Sequence, residues 1–342
     1  MIYDIPSSLD ASLRAATSTP SLLDTISGKK LFFTGCGTAY LSGWLAAEIL
    51  SIFNPEGSPR ALFALELPDH PVDGDCVVIG ISNSGITKTT ADALASARRR
   101  GAHTVALTHS RGPVTDAADS SLIIGNSPDV SRCHTKCFTD NFGALLAMSC
   151  ATARSTRSDS LTRSLQKVPS RLKGFIEEVD PECRKLAEAN LESRVHYFTG
   201  FGPGKVIAEE AALKVSETLF QPAFGYELEQ FLHGPWVSLD DKSVLFVYGS
   251  PRHRNRVFDL VHAASNVGAS VVCIGCEEDV GKATSIRLPE GAEPVTPLYA
   301  IVPAYLYVYY ASVLRGRNPD MLRYQEETYW KSRLIIFPPG TH

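Results

Sequence analysis

Short apolar runs alternate along this chain with longer segments rich in alanine and leucine. Lys30 to Phe33, Arg60 to Glu66, Asp75 to Ile81, Thr104 to Thr108 and Ser121 to Gly125 are each bounded by glycine or polar turns. They read as buried strands. Between and after them, Tyr40 to Phe53, Thr89 to Arg100 and Asn141 to Ala153 carry apolar residues at helical spacing, with Ala91, Leu94 and Ala95 on one face of the second. Such alternation predicts a doubly wound, mostly parallel sheet, because parallel strands need helical crossovers.

The second half repeats the first. Val195 to Thr199 with Gly200-Phe201-Gly202 answers Leu31 to Thr34 with Gly35-Cys36-Gly37. Ser243 to Tyr248 answers Cys76 to Ile81, Ser270 to Ile274 answers Thr104 to Thr108, and Tyr299 to Leu314 answers the helix at Asn141. Duplication of one α/β unit accounts for this. The expected organisation is a helical lead-in over 1–27, a first domain over 28–153, a linker with helices over 154–192, a second domain over 193–317 and a tail over 318–342. Leu9, Leu13, Leu22, Leu23 and Ile26 of the lead-in are placed to cover a sheet edge or a partner subunit. Arg154 to Arg163, rich in Ser, Thr and Arg, reads as a linker, and Gln221 to Pro235, with Pro222, Gly225, Gly234 and Pro235, as a loop.

Candidate chemistry gathers at two places. Gly80-Ile81-Ser82-Asn83-Ser84-Gly85-Ile86-Thr87 joins a strand's carboxyl end to a helix. That edge of an open α/β sheet is where ligands bind, and helix N-terminal N–H groups attract anions. Ser82, Ser84 and Thr87 add hydroxyls at a spacing that wraps a phosphate, although serines that merely cap a helix would give the same string. The second place is Val206 to Leu219, where Glu210, Lys214 and Glu217 fall on nearly one helix face after the glycine turn at Gly200 to Gly204. An exposed, ion-paired face is the competing reading.

Composition narrows the classes. The chain has 342 residues, 44% of them hydrophobic, enough for two domains. The formal charge is -4 with Lys and Arg scattered, which argues against a nucleic-acid partner. No apolar stretch is expected to reach the roughly 18 to 20 residues that span a bilayer, and Met1-Ile2-Tyr3-Asp4 does not open like a signal peptide. The expected address is cytoplasmic, with no membrane partner. Eight cysteines, mostly inside apolar runs, suit reduced buried thiols. Neither Cys273 with Cys276 nor Cys133 with Cys137 has a convincing partner pair, so no metal is expected. No cofactor is expected either.

The turn from Ile81 to Thr87 resembles the phosphate-binding signature I-S-x-S-G-x-T of the sugar-isomerase (SIS) domain family. The likeness extends through Gly35-Cys36-Gly37-Thr38, Thr135-Lys136-Cys137-Phe138-Thr139, Glu210 to Glu217 and Leu232-His233-Gly234-Pro235. Taken together, these motifs resemble the isomerase half of glucosamine-6-phosphate synthases and related phosphosugar deaminases and deglycases. The 342 residues hold no glutaminase segment, so the resemblance is expected to stop at that half. It implies two flavodoxin-like SIS domains, each with a five-stranded sheet flanked by helices. The implied activity is phosphosugar aldose–ketose isomerisation or deamination of an amino-sugar 6-phosphate; a simple isomerase or a non-catalytic sensor remains the alternative. It further implies Glu217 and His233 as catalytic residues, the latter reaching a neighbouring subunit of a homodimer with shared sites. Gly37, Thr38, Ser82, Asn83, Ser84, Thr87, Thr135, Lys136, Glu210 and Lys214 would contact the sugar phosphate. His134 stands where the family pattern has serine, and Ala39 where it often has serine. A lysine often found near the position of Glu327 is absent, Lys331 being the nearest replacement and the tail being expected to cover the site.

Overall fold

A computed structural model describes residues 1–53, 57–153, 155–249, 251–276, 280–290 and 295–339. Arg154, at the start of the expected linker, and Ser250, which follows the run Ser243 to Tyr248, lie outside the described residues. The chain divides into two compact units, Tyr3–Ser170 with Tyr324–His342 and Arg171–Arg323.

In the first unit, α1 (Ile5–Thr17) and α2 (Pro20–Ile26) precede the sheet. Within the unit, α1 packs along a later helix and reaches an edge strand, burying Ile5, Leu9 and Leu13. There follow β1 (Lys30–Gly35), α3 (Thr38–Phe53), β2 (Arg60–Phe63), β3 (Cys76–Ser82), α4 (Lys88–Arg99), β4 (His103–Thr108), α5 (Pro113–Asp116), β5 (Ser120–Ile123) and α6 (Lys136–Thr152). The five strands pair in the order β2-β1-β3-β4-β5, every pair parallel. All seven residues of the central β3 are buried, as a run of Val, Ile and Gly between two neighbours requires. Val78, Leu94, Ala97 and Ala106 belong to the core under α4. Strand order reverses between β1 and β3, so their carboxyl ends flank the crevice where doubly wound sheets take ligands.

The expected linker is instead part of one long helix, α7 (Thr156–Ala189), and the division between the units falls inside it. The reason is an apolar stripe that starts within the polar run: Leu161, Leu165, Val168, Leu172, Phe175, Val179, Cys183 and Leu186 are all buried. Spacings of three and four put them on one face, with Ser158 buried one turn before Leu161, while Arg157 and Arg163 are exposed.

The second unit contains β6 (Val195–Gly200), α8 (Pro203–Leu219), β7 (Ala223–Glu227), α9 (Leu228–Leu232), β8 (Ser243–Tyr248), α10 (Arg254–Asn266), β9 (Ser270–Ile274), β10 (Thr284–Ile286), α11 (Pro297–Ala300) and α12 (Val302–Leu314). Its strands pair in the order β10-β9-β8-β6-β7, again all parallel, which is the topology of the first sheet. The segment expected as a loop supplies β7 and α9. Gly225 allows it, since a Cβ there would stand 2.6 Å from the backbone of Glu209 on α8. The run Pro297–Leu314, 18 residues of mean hydropathy 1.3, does have the length and composition of a bilayer-crossing helix, contrary to expectation. It is 78% buried inside protein, with Tyr299, Tyr305 and Tyr307 enclosed, and serves as a core helix against α8. Cys273 and Cys276 are joined by a disulfide rather than reduced, their Cα atoms 6.0 Å apart across the turn that ends β9; the other six cysteines are free thiols. Finally α13 (Glu327–Ile336) returns to the first unit.

Candidate active site

The serine turn of the first unit is braced from within. Ser82, the last residue of β3, is buried; its Oγ accepts from the Gly85 N–H at 3.1 Å and shares a hydrogen bond of 3.0 Å with Thr87 Oγ1. Thr87 occupies the N-cap of α4, yet its hydroxyl is turned to Ser82 and does not cap the helix. Hydroxyls expected as three equivalent donors thus divide into a buried brace and outward groups. Ser84 is exposed, and its Oγ accepts from Ile86 N at 3.4 Å, leaving the hydroxyl proton free to point outward. Gly85 has φ +72°, and Val114 N donates to its carbonyl at 2.9 Å, tying the turn to α5. Gly37, at φ +55°, opens α3, with Thr38 buried as the first helical residue.

Asn83 Nδ2 lies 2.9 Å from His134 Nδ1, linking the turn to the segment before α6. Thr135 caps that helix by position, and its Oγ1 is buried with no hydrogen-bond partner among the described residues. Lys136 departs from the expected substrate contact. It is fully buried, and its three ammonium N–H groups are matched by Asp4 Oδ2 at 2.9 Å, Asn126 Oδ1 at 3.2 Å and Ser127 Oγ at 3.0 Å. Burying an ammonium demands such matching, and no donor is left over for a sugar. Burial alone would raise the Asp4 carboxyl, but hydrogen bonds from Lys136, Ser7 and Asn126 hold it below the usual range. A second buried pair, His109 Nε2 to Asp140 Oδ2 at 3.0 Å, is joined by Ser8 Oγ at 2.5 Å, and burial pushes the Asp140 carboxyl up.

In the second unit, α8 does bring Glu210, Lys214 and Glu217 together. Lys214 Nζ stands 2.8 Å from Glu217 Oε2 and 3.4 Å from Glu210 Oε1. Glu210 and Lys214 are buried to within 1%, whereas the Glu217 side chain is 25% exposed. An exposed ion-paired surface face is therefore not what this helix presents. A buried ammonium flanked by two carboxylates is tolerated because each charge has an opposite neighbour. Tyr305 Oη donates to Glu210 Oε1 at 3.0 Å, so Glu210 is anchored and Glu217 alone offers solvent-accessible carboxylate. Tyr248, at the carboxyl end of β8, has a buried hydroxyl with no hydrogen-bond partner among the described residues. Burial, then the charge of Glu210, pushes its phenol up. Sequence reading missed both tyrosines: in Tyr299 to Leu314 and Ser243 to Tyr248 they look like ordinary core aromatics.

His233 ends α9 with its side chain 76% exposed, 3.5 Å from Glu229, which is itself held by Arg256 through two hydrogen bonds of 2.5 and 2.9 Å. Lys331 lies on α13 in an exposed pair with Glu327 at 2.6 Å.

A duplicated five-stranded parallel sheet with a hydroxyl-lined turn at one switch point and a buried acid–lysine–acid helix in the other half defines a twin doubly wound α/β protein. The chain belongs to the SIS domain family, which matches residues 26–153 and again 192–315. It is 30% identical over 334 residues to a glutamine–fructose-6-phosphate aminotransferase (isomerizing) of Aquifex aeolicus, covering 94% of this chain and 55% of that protein. It is also 30% identical over 329 residues to the Halobacterium salinarum protein of the same name, covering 92% of this chain and 53% of that one. The chain thus spans about half the length of these curated relatives. Among solved structures, the C-terminal domain of glucosamine-fructose-6-phosphate aminotransferase from Francisella tularensis superimposes with a TM-score of 0.84 at 19% identity, covering 93% of this chain and 96% of that one.

Proposed function

We propose that the protein is a phosphosugar aldose–ketose isomerase or deaminase acting on an amino-sugar 6-phosphate, of the glucosamine-6-phosphate deaminase or fructosamine-6-phosphate deglycase type. The observation that carries this is the α8 cluster, in which Glu217 keeps an accessible carboxylate while Lys214 and Glu210 are locked in place. The matched relatives are named for fructose 6-phosphate and for isomerisation. In this reading the serine turn takes the phosphate: Ser84, Thr87 and the first N–H groups of α4 donate, with Ser82 and Asn83 bracing them. Gly37, Thr38 and Thr135 border that turn, and Lys136 acts as a buried post. Glu217 removes the proton from C2, giving an enolamine, and C1 is reprotonated. With an amine on C2 the product is an imine, to which water adds and from which ammonia leaves. Without the amine the same transfer through an enediol is plain isomerisation. A carboxylate accomplishes this proton transfer without a metal at the reacting carbons, and a positioned base is worth roughly 10² to 10⁴ in rate.

A second reading, a phosphosugar sensor without chemistry, is favoured by the Lys331–Glu327 pair, which occupies the lysine nearest the family position. One experiment separates the two. Sugar 6-phosphates are incubated with the protein in D2O, and deuterium at the carbon beside the carbonyl is followed together with ammonia release. The enzyme reading expects exchange by wild type and a loss of about 10² or more in Glu217→Gln with phosphosugar binding retained. Binding without exchange for every sugar supports the sensor, and undiminished exchange in Glu217→Gln moves the base elsewhere.

A further inference from the structure

We infer that Asp129, His134 and Cys137 bind a divalent transition-metal ion of the Zn²⁺ class beside the serine turn. One donor atom from each residue lies within 4.8 Å of the other two. No sequence spacing reveals the set, because Cys133 and Cys137 draw the eye while the ligands are an aspartate eight residues before Cys137 and a histidine between them. The chain brings them together by entering α6 through His134 at φ +40°, which folds the segment back on itself.

The donor chemistry selects the metal. One sulfur, one imidazole nitrogen and one carboxylate oxygen suit Zn²⁺, Co²⁺ or similar ions and not Mg²⁺ or Ca²⁺, which take oxygen. Three protein ligands leave a fourth position for water or a phosphate oxygen, and the partly exposed His134 marks the open side. Asp129 and Cys137 are buried.

The surroundings fit as outer partners of a metal site. Asp129 Oδ1 accepts from Ser131 N at 3.2 Å and Oδ2 from Lys136 N at 3.0 Å, which fixes the carboxylate while each oxygen retains a further lone pair. Asn83 Nδ2 is placed toward His134 Nδ1, and Asn83 Oδ1 is buried with no hydrogen-bond partner among the described residues. Turning the amide over lets Oδ1 accept from the Nδ1–H, which leaves Nε2 its lone pair for the ion. Binding replaces the Cys137 thiol proton, so Cys–SH and M²⁺ give the Cys–S–M⁺ unit and one released H⁺.

The test is a titration of the full chain with Co²⁺, without reductant so that the Cys273–Cys276 disulfide stays closed. Expected are one equivalent bound per chain and a thiolate-to-cobalt charge-transfer absorption. The absorption should vanish in Cys137→Ser, and affinity should fall at least tenfold in His134→Ala, whose site is partly exposed and whose fold is checked by circular dichroism. Cys36→Ser, which removes the exposed thiol, should bind as wild type does. No charge-transfer band in wild type, a band that survives Cys137→Ser, or one lost in Cys36→Ser overturns the site.

Discussion

Replacing Gly85 by alanine tests whether the serine turn is as tightly determined as its geometry implies. Gly85 sits at φ +72°, a conformation that costs an L-residue about 1 to 2 kcal/mol. A Cβ there would stand 2.4 Å from Ser110 O, about 1 Å short of ordinary contact, and the atom it meets is backbone. To relieve this the turn must swing away from Ser110, giving up the bond from Val114 N to Gly85 O, worth about 1 kcal/mol net. A loss of roughly 2 to 3 kcal/mol follows. Gly37→Ala is the matched control: φ is +55°, but nothing lies within 4 Å of its added Cβ, so about 1 to 2 kcal/mol of backbone strain is all it should cost. Urea denaturation of the two variants beside wild type, with calorimetric titration of a sugar phosphate, checks both claims. Gly85→Ala should be the less stable variant and bind at least tenfold more weakly. Equal stability losses in the two variants would refute the argument from the Ser110 contact.

Ser84→Ala combined with Thr87→Ala should weaken binding of phosphorylated sugars and leave non-phosphorylated analogues unaffected, because the lost donors face a group carrying about -1.5 to -2 charges; equal losses by calorimetry would count against a phosphate cradle. The neutral His196, hydrogen-bonded to Tyr307 at 2.8 Å, has its pKa lowered to about 3, by burial first and the Arg315 charge second. The unfolded chain takes up this proton near its ordinary 6.5 and the folded one does not, so the contribution is complete above pH 6.5 and is lost as pH falls towards 3. By pH 5 the loss is about 2 kcal/mol, and His196→Gln should flatten that part of the stability profile; an unchanged slope would show that another group sets it. Mixing a Glu217→Gln chain with a His233→Ala chain should restore up to about half of the sites if His233 serves a partner's site, as its exposed side chain permits. Inactivity of verified heterodimers would assign both residues to the same chain.

Much of the fold was legible because it rests on local pattern. Buried parallel strands such as Cys76–Ser82 are apolar up to the closing serine, and a helix between them must show apolar residues at three- and four-residue spacing, so alternation and duplication could be read directly. The face shared by Glu210, Lys214 and Glu217 follows from the helical repeat alone. Burial does not. Whether those charges met water or each other depended on α12 packing over α8 and on Tyr305 reaching Glu210, contacts about 95 residues away in sequence. The same limit hid β7, an edge strand of five residues whose Gly225 is explained only by the approach of α8. It also reversed the reading of Lys136, which resembles a substrate contact in its motif but is consumed by Asp4, a residue 132 positions earlier. Sequence determines periodicity and which charges lie on one face of a helix. Tertiary structure decides which of them are dehydrated and what neutralises them, because that energy comes from groups distant in the chain.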